Sequence, residues 1–165
     1  MTRLRIGDEP LTPAALAAAA RDSSLQVSMS EVARARIAAA AEAADAIAAE
    51  RPVYGRTTGV GAQRTEALAE GDAEHSLRLL RSHAGGLGEP LPEEVVRGTI
   101  VARLAQMARG GGGHRAELTD ALVALVNGGD LPVVRDLGGI GTGDLTVLGQ
   151  IGLAAQKRGQ APLLH

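Results

Sequence analysis

The sequence predicts a mainly α-helical protein with a few short strands, and three observations support this prediction. Long segments are rich in alanine, the best helix former, and they carry apolar residues at helical spacing. Capping residues and prolines mark helix starts, whereas glycine clusters mark helix ends. Only the short segment Leu25–Ser28 alternates as a strand does. The 165 residues, 45% of them hydrophobic, suffice for one domain spanning 1–165.

Three helices are predicted in the first half of the chain. The first occupies 12–22 and opens with a threonine N-cap followed by proline. Ser28–Glu31 forms a capping-box pattern, and the helix after it runs to about Glu50, where Pro52 stops it. A glycine-containing loop separates this helix from the third, at 72–84. The expected apolar stripe of the second helix consists of Val32, Ile37, Ala40, Ala44 and Ile47.

Three more helices are predicted in the second half. After a turn at 85–92, proline starts a helix that continues to about residue 109. Four consecutive glycines then break the chain before a helix at 116–126, which ends at an Asn-Gly-Gly signal. The last helix is predicted over 145–158. The expected apolar face of the helix after the turn consists of Val95, Ile100, Val101, Leu104 and Met107.

Composition limits the classes of partner and site. The net charge is −2 and the arginines are scattered, so neither nucleic acid nor an anionic membrane is an expected partner. No apolar run approaches about 18 residues and no signal-peptide pattern is present, so we expect a cytoplasmic protein that spans no membrane. Without cysteine, and with four widely spaced histidines, no metal site is predicted. A core of small aliphatic side chains predicts marginal stability without a partner.

Four segments follow a further pattern. They are Pro52–Gly61 (PVYGRTTGVG), Leu79–Arg97 (LLRSHAGGLGEPLPEEVVR), Ala108–Arg115 (ARGGGGHR) and Pro132–Asp144 (PVVRDLGGIGTGD). In the same order, they resemble segments of the aromatic amino acid ammonia-lyases that read PVYGVNTGFG, LLRSHAAGVGEPLPEEVVR, ARGYSGVR and roughly PVVPEQGSVGASGDL. The resemblance covers nearly the whole chain but well under half of a family member. It implies the N-terminal part of an ammonia-lyase-like helical fold.

The resemblance also implies a changed cofactor loop. In the family, the Ala-Ser-Gly of this loop cyclises into an electrophilic methylidene-imidazolone. Aligned from Pro132, the loop here is one residue short; aligned backwards from Asp144, Gly141, Thr142 and Gly143 cover the tripeptide. Neither alignment retains a serine. Threonine also has a β-hydroxyl that can leave, but the shortened loop disfavours ring closure. We therefore expect no methylidene-imidazolone, and Asp144 is expected to cap the last helix.

Tyr54 matches the family's catalytic tyrosine, which acts in proton transfer. A phenol serves as an acid or base only where its surroundings stabilise the required form. The alternative is a buried core tyrosine whose hydroxyl bonds to the backbone. Four neighbouring residues are expected to contact substrate, and a valine in place of the usual phenylalanine leaves more room there. These residues are Thr57, Thr58, Gly59 and Val60.

Ser82 and His83 match the Ser-His pair of histidine ammonia-lyases, whose neighbourhood helps to select the substrate side chain. The pair indicates a polar substrate pocket. The alternative is that His83 caps the end of its helix, where the dipole favours it. The two interpretations stay open at this level.

The resemblance implies a split enzyme. The later helices of the family supply further active-site side chains, and we expect a second chain to carry them in a hetero-oligomer. The pair would catalyse a cofactor-independent acid/base reaction (elimination or dehydration, isomerisation or cyclisation) on a small specialised-metabolite intermediate. Two alternatives remain: a non-catalytic stabilising or regulatory subunit, and a truncated conventional histidine or aromatic amino acid ammonia-lyase.

The lost serine leads to a direct prediction. The intact mass of the purified chain is expected to equal the mass calculated from its sequence, and the ultraviolet absorbance of the cyclised ring is expected to be absent. Intact-protein mass spectrometry with peptide mapping checks both. Loss of two water molecules localised to Gly141–Gly143 would contradict the prediction.

Overall fold

The computed structural model describes residues 3–69, 74–141, 143 and 145–158, and within these ranges the chain is mainly helical, as predicted. Two small sheets, each with two strands, accompany the helices. None of the described helices has both the length and the apolarity needed to cross a bilayer. In chain order the elements are β1 (Arg3–Ile6), α1 (Pro13–Arg21), β2 (Gln26–Met29), α2 (Glu31–Glu50), α3 (His75–His83), β3 (Leu87–Pro90), α4 (Glu93–Met107), α5 (Ala116–Asn127), β4 (Arg135–Leu137) and α6 (Leu145–Arg158).

The starts of α1 and α2 follow ordinary capping chemistry. The Thr12 hydroxyl accepts a hydrogen bond from the amide of Ala15 at 3.1 Å, as the sequence predicts. For α2 the capping-box prediction is wrong by two residues. Ser28 belongs to strand β2, where it pairs with Arg5, and Ser30 is the residue that accepts from an amide of the first turn. The predicted start of α3 at residue 72 lies outside the described residues.

The two sheets were only partly predictable. Strand β2 lies where the alternating segment predicted a strand, and β1 pairs with it in parallel through the β1-α1-β2 connection. The predicted turn at 85–92 contains β3, which pairs antiparallel with β4. Leu87 faces Leu137 across this ladder. Because the partner strand lies about fifty residues away, no local pattern at 85–92 reveals the pairing.

Helix α4 lies at the centre of the core, between α1 and α5. Gly98 allows the close approach of α1, since a side chain added there would meet Ala20 at 3.3 Å. Two predicted apolar stripes require correction. In α2, Ala33 and Ile37 are buried whereas Val32 and Ile47 are exposed; in α4, Val96 rather than Val95 is buried. The most deeply buried aliphatic side chains are Ile37, Val96, Ile100, Val101, Leu104, Leu125, Val126 and Val134.

Arg97 is the one charged side chain among the buried residues of the described chain, with 3% of its surface exposed. Its guanidinium donates hydrogen bonds to the carbonyls of Ala19 (2.6 Å), Val126 (2.5 Å) and Leu25 (2.6 Å). Two of these carbonyls belong to the last turns of α1 and α5, where helical partners are lacking and a cation is favoured. Burial lowers the pKa of the guanidinium, and the Asp22 carboxylate partly offsets this effect.

Replacing Arg97 with methionine is expected to lower the free energy of unfolding by about 3–5 kcal/mol. The physical reason is that three backbone carbonyls would lose their donor inside the core. Urea denaturation followed by circular dichroism measures the change. Arg21→Met serves as the control, because Arg21 makes an exposed ion pair with Glu94 at 3.8 Å and its loss is expected to cost below about 1 kcal/mol. Equal losses in the two variants would contradict the role assigned to Arg97.

Candidate functional site

A tight turn directly after α2 carries Tyr54. The Val53 carbonyl accepts hydrogen bonds from the amides of Arg56, Thr57 and Thr58 at 3.1, 2.9 and 3.3 Å. The Thr57 hydroxyl in turn accepts from the Val53 amide at 2.8 Å. Gly55 adopts a positive φ of 72°, which glycine tolerates without strain. Thr57 therefore stabilises the backbone on either side of Tyr54, and the substrate contact that the sequence expects of it stays a prediction.

Tyr54 itself is exposed over 64% of its surface, so within the described chain its ring is not buried, although its hydroxyl does bond to the backbone as that alternative predicts. Its hydroxyl oxygen accepts a hydrogen bond from the Gly61 amide at 3.0 Å. This bond links the end of the Tyr54 side chain to the backbone seven residues later in the same loop. Because the phenol oxygen is the acceptor in this bond, the hydroxyl group is still able to donate a hydrogen bond to another group.

The remaining loop residues close the loop. Thr58 is buried and its hydroxyl donates to the Gly59 carbonyl at 3.1 Å. The Gly59 amide donates to the Glu66 carbonyl at 3.0 Å, and Thr58 forms an isolated bridge with Ala67. Val60 is half-buried. In the described chain, all these contacts join residues of the loop to one another. The substrate-binding role of Thr58, Gly59 and Val60 therefore stays a prediction.

A cleft of about 560 Å³ opens beside Tyr54. One wall is an alanine-rich face of α2, and the opposite wall is the turn that contains the four glycines. Arg56, His114 and Arg115 supply its ionisable groups, and Ser76 supplies a hydroxyl. None of these four residues is among the site residues that the sequence predicts, although Arg56 is close to Tyr54 along the chain. One signal was available, because the family pattern PVYGVNTGFG has valine where this chain has Arg56.

Charged contacts join the Tyr54 loop to both walls of the cleft. Arg56 forms an ion pair with Asp45 on α2, and it also donates to the Gly113 carbonyl at 3.1 Å. The second oxygen of Asp45 lies 3.8 Å from Arg115. Gly113 can approach α2 only because it lacks a side chain: its φ is 61°, and a Cβ there would lie 2.5 Å from that of Ala44.

His114 is the titratable group of the cleft whose pKa is shifted most clearly by its surroundings. Burial lowers the pKa of its imidazole, and the nearby cation of Arg103 lowers it further. The ring is therefore neutral at pH 7, and its buried Nε2 has no hydrogen-bond partner within the described chain. A neutral imidazole with one open nitrogen is able to accept or donate a single proton.

Ser82 and His83 lie at the end of α3 and do not line the Tyr54 cleft. His83 Nδ1 lies 2.7 Å from the Leu79 carbonyl oxygen, so Nδ1 carries the proton and donates it. This contact supports the helix-end interpretation of His83. Gly149 on α6 packs tightly against the same helix end, since a Cβ there would meet the backbone of His83 at 3.0 Å. Ser82 is exposed.

The loop before α6 is described only in part. Gly141 and Gly143 have positive φ values of 81° and 128°, whereas Thr142 and Asp144 lie outside the described residues. The capping role of Asp144 and the chemistry of Thr142 therefore stay predictions. Within the described ranges, no three His, Asp or Glu side chains are grouped to hold a metal ion.

Comparison with known proteins identifies the family. The chain belongs to the aromatic amino acid lyases, whose family model matches residues 11–162. It is 35% identical over 164 residues to histidine ammonia-lyase from Caldanaerobacter subterraneus subsp. tengcongensis, covering 98% of this chain and 32% of that protein. The chain thus spans a third or less of the length of the curated relatives that it matches, with shares as low as 22%.

Two solved structures show the same arrangement of elements. Ergothionase from Treponema denticola superposes with a TM-score of 0.86 at 33% identity, over 92% of this chain and 31% of that one. Histidine ammonia-lyase from Trypanosoma cruzi superposes with a TM-score of 0.79 at 30% identity, over 91% of this chain and 28% of that one. The predicted ammonia-lyase-like helical fold is confirmed.

The depressed pKa of His114 predicts a pH-dependent stability. Unfolded His114 takes up a proton near pH 6.5, whereas the folded ring takes it up only at lower pH. The unfolded state then binds more protons, so the free energy of unfolding falls as pH drops below 6.5 and levels off below the folded pKa. His114→Gln is expected to reduce this fall. Urea denaturation at a series of pH values between 7.5 and 5 checks it, and an unchanged profile in the variant would contradict the assignment.

Proposed function

We propose that this chain is the N-terminal subunit of a split lyase-like enzyme that works without methylidene-imidazolone. One observation carries the proposal: the chain keeps the tyrosine loop of the family and has no serine anywhere after Ser82. The family forms its electrophile from a serine, and Thr142, which also has a β-hydroxyl, lies in a loop whose shortening disfavours ring closure. The proposed enzyme therefore keeps the acid/base group of the family and works without its electrophile.

The chemistry that remains is proton transfer. Without an electrophile, elimination of ammonia from an unactivated amino acid has no means of making its β-proton acidic. A substrate whose proton is already acidic, such as a specialised-metabolite intermediate, needs only a positioned acid or base. Tyr54 meets the geometric requirement, because its hydroxyl is anchored by Gly61 and its ring borders an open cleft. Elimination or dehydration, isomerisation and cyclisation all fit this requirement.

Exposed apolar side chains support a partner that supplies the missing helices. Leu87 and Leu137, paired across β3 and β4, are exposed, and Ile140 in the following loop is exposed over 82% of its surface. Val133 and Leu145 extend the exposed apolar surface on either side along the chain. Such patches mark protein interfaces. The relatives are about three times as long, so the proposed occupant is the remaining helical part of the fold, carried by a second chain in a hetero-oligomer.

The relatives named histidine ammonia-lyase favour a second candidate, in which this sequence is a piece of a conventional enzyme of that kind. That candidate requires the cofactor, so the intact mass distinguishes it from the first. The mass of the chain after purification from the assembled complex is the appropriate measurement. A third outcome, a stable complex that shows no dependence on Tyr54, would indicate a stabilising or regulatory subunit.

Removing the Tyr54 hydroxyl is expected to reduce activity while leaving the assembly intact. The chain is co-expressed with a candidate second chain that carries the missing helices, and the complex is screened for turnover of intermediates with acidic protons. In Tyr54→Phe the rate is expected to fall about 10²–10⁴-fold. Thr142→Ala is the control and is expected to leave the rate unchanged. An inactive Thr142→Ala together with an active Tyr54→Phe would show that the loop performs the family's covalent chemistry.

A further inference from the structure

The Tyr54 loop makes one charged, two-sided contact with the rest of the domain. Arg56 stands two residues after Tyr54, and its guanidinium lies between Asp45 on α2 and the Gly113 carbonyl in the glycine turn. Only 22% of the Arg56 side chain is exposed, compared with 49% for Asp45. A partly buried guanidinium with two acceptors is restrained more than a typical surface pair.

The contact restrains the same short turn that orients Tyr54. The Arg56 amide donates to the Val53 carbonyl, so moving the Arg56 backbone disrupts the hydrogen bonds that define the turn. At the other end, the one hydrogen bond that the described chain makes to the Tyr54 hydroxyl comes from the Gly61 amide. Since one backbone hydrogen bond exposed to solvent is a weak restraint, the position of the ring depends on the Arg56 side of the loop.

We propose that Asp45 and Arg56 are positioning residues that hold Tyr54 over the cleft. We call the Asp45–Arg56 ion pair, together with the hydrogen bond from Arg56 to the Gly113 carbonyl, the clamp. It joins α2, the Tyr54 loop and the glycine turn. The inference rests on the proposed function, because the position of Tyr54 matters for activity only if Tyr54 transfers a proton.

The chain provides both a reporter and a matched control. Tyr54 is the sole tyrosine, so 3-fluorotyrosine incorporated into this chain gives a single ¹⁹F resonance, even beside an unlabelled partner. The control is the ion pair between Arg34 on α2 and Asp120 on α5, at 2.7 Å. Its side chains are 37% and 51% exposed, and neither residue lines the cleft beside Tyr54. The two pairs thus share a helix and a comparable exposure.

The experiment compares Arg56→Val and Asp45→Asn with Arg34→Val by ¹⁹F NMR of the full chain. Loss of the clamp is expected to raise the population of molecules in which the Tyr54 ring has left its position by about fivefold. This is the largest change that the loss of an exposed ion pair typically causes. Both clamp variants are expected to show the same second resonance or exchange broadening, and the double variant is expected to add nothing further. Arg56→Lys keeps the positive charge but loses the planar set of donors that lets the guanidinium bond two acceptors at once, so its ¹⁹F change is expected to be intermediate. Arg34→Val is expected to leave the resonance unchanged.

Raising the salt concentration tests the ion pair without any substitution. In the wild type, about 1 M salt is expected to shift the resonance toward that of Asp45→Asn, whereas Arg56→Val is expected to respond far less. If Arg56→Val does not fold, Asp45→Asn and the salt series decide the question. An unchanged resonance in Asp45→Asn, or an equal change in Arg34→Val, overturns the clamp. The readout requires no turnover, so an active Tyr54→Phe complex with an intact clamp signal would refute the proposed function alone.

Discussion

The buried guanidinium of Arg97 is the interaction on which the arrangement of the helices depends. It donates to the last turns of α1 and α5 and to the segment before β2, so one side chain joins three parts of the chain that are distant in sequence. Each acceptor would otherwise be a buried carbonyl without a donor, which is costly in a core of aliphatic side chains. Because the charge is delocalised and weakly hydrated, arginine tolerates this environment better than lysine does.

Side-chain amides complete the two small sheets in a related way. The Asn127 amide group pairs with both the N–H and the C=O of Val27, at 2.8 Å each, and so acts as a third strand beside β2. Gln150 on α6 makes the same pair of contacts with Arg135 in β4, at 2.9 and 3.3 Å. The loop that follows β4 therefore starts from a segment that is fixed to α6.

The candidate site places a tyrosine beside charged and polar groups. Two arginines and a histidine border the cleft next to Tyr54. The two arginines are partly neutralised by Asp45, and His114 is neutral because it is buried. Apart from Tyr54, the lining therefore consists mainly of hydrogen-bonding groups, glycine backbone and small alanine side chains.

The sequence by itself determined the helical class, most helix boundaries and the family, because alanine content, N-caps, glycine breaks and motif order are local properties. It also determined that no serine is present for the cofactor. Only the tertiary structure decided that Ser30 rather than Ser28 caps α2, that Val96 rather than Val95 is buried, and that 87–90 forms a strand. These features depend on partners distant in sequence. The same holds for Asp45, Arg56 and Gly113, which come together at the Tyr54 loop only because α2 and the glycine turn pack side by side.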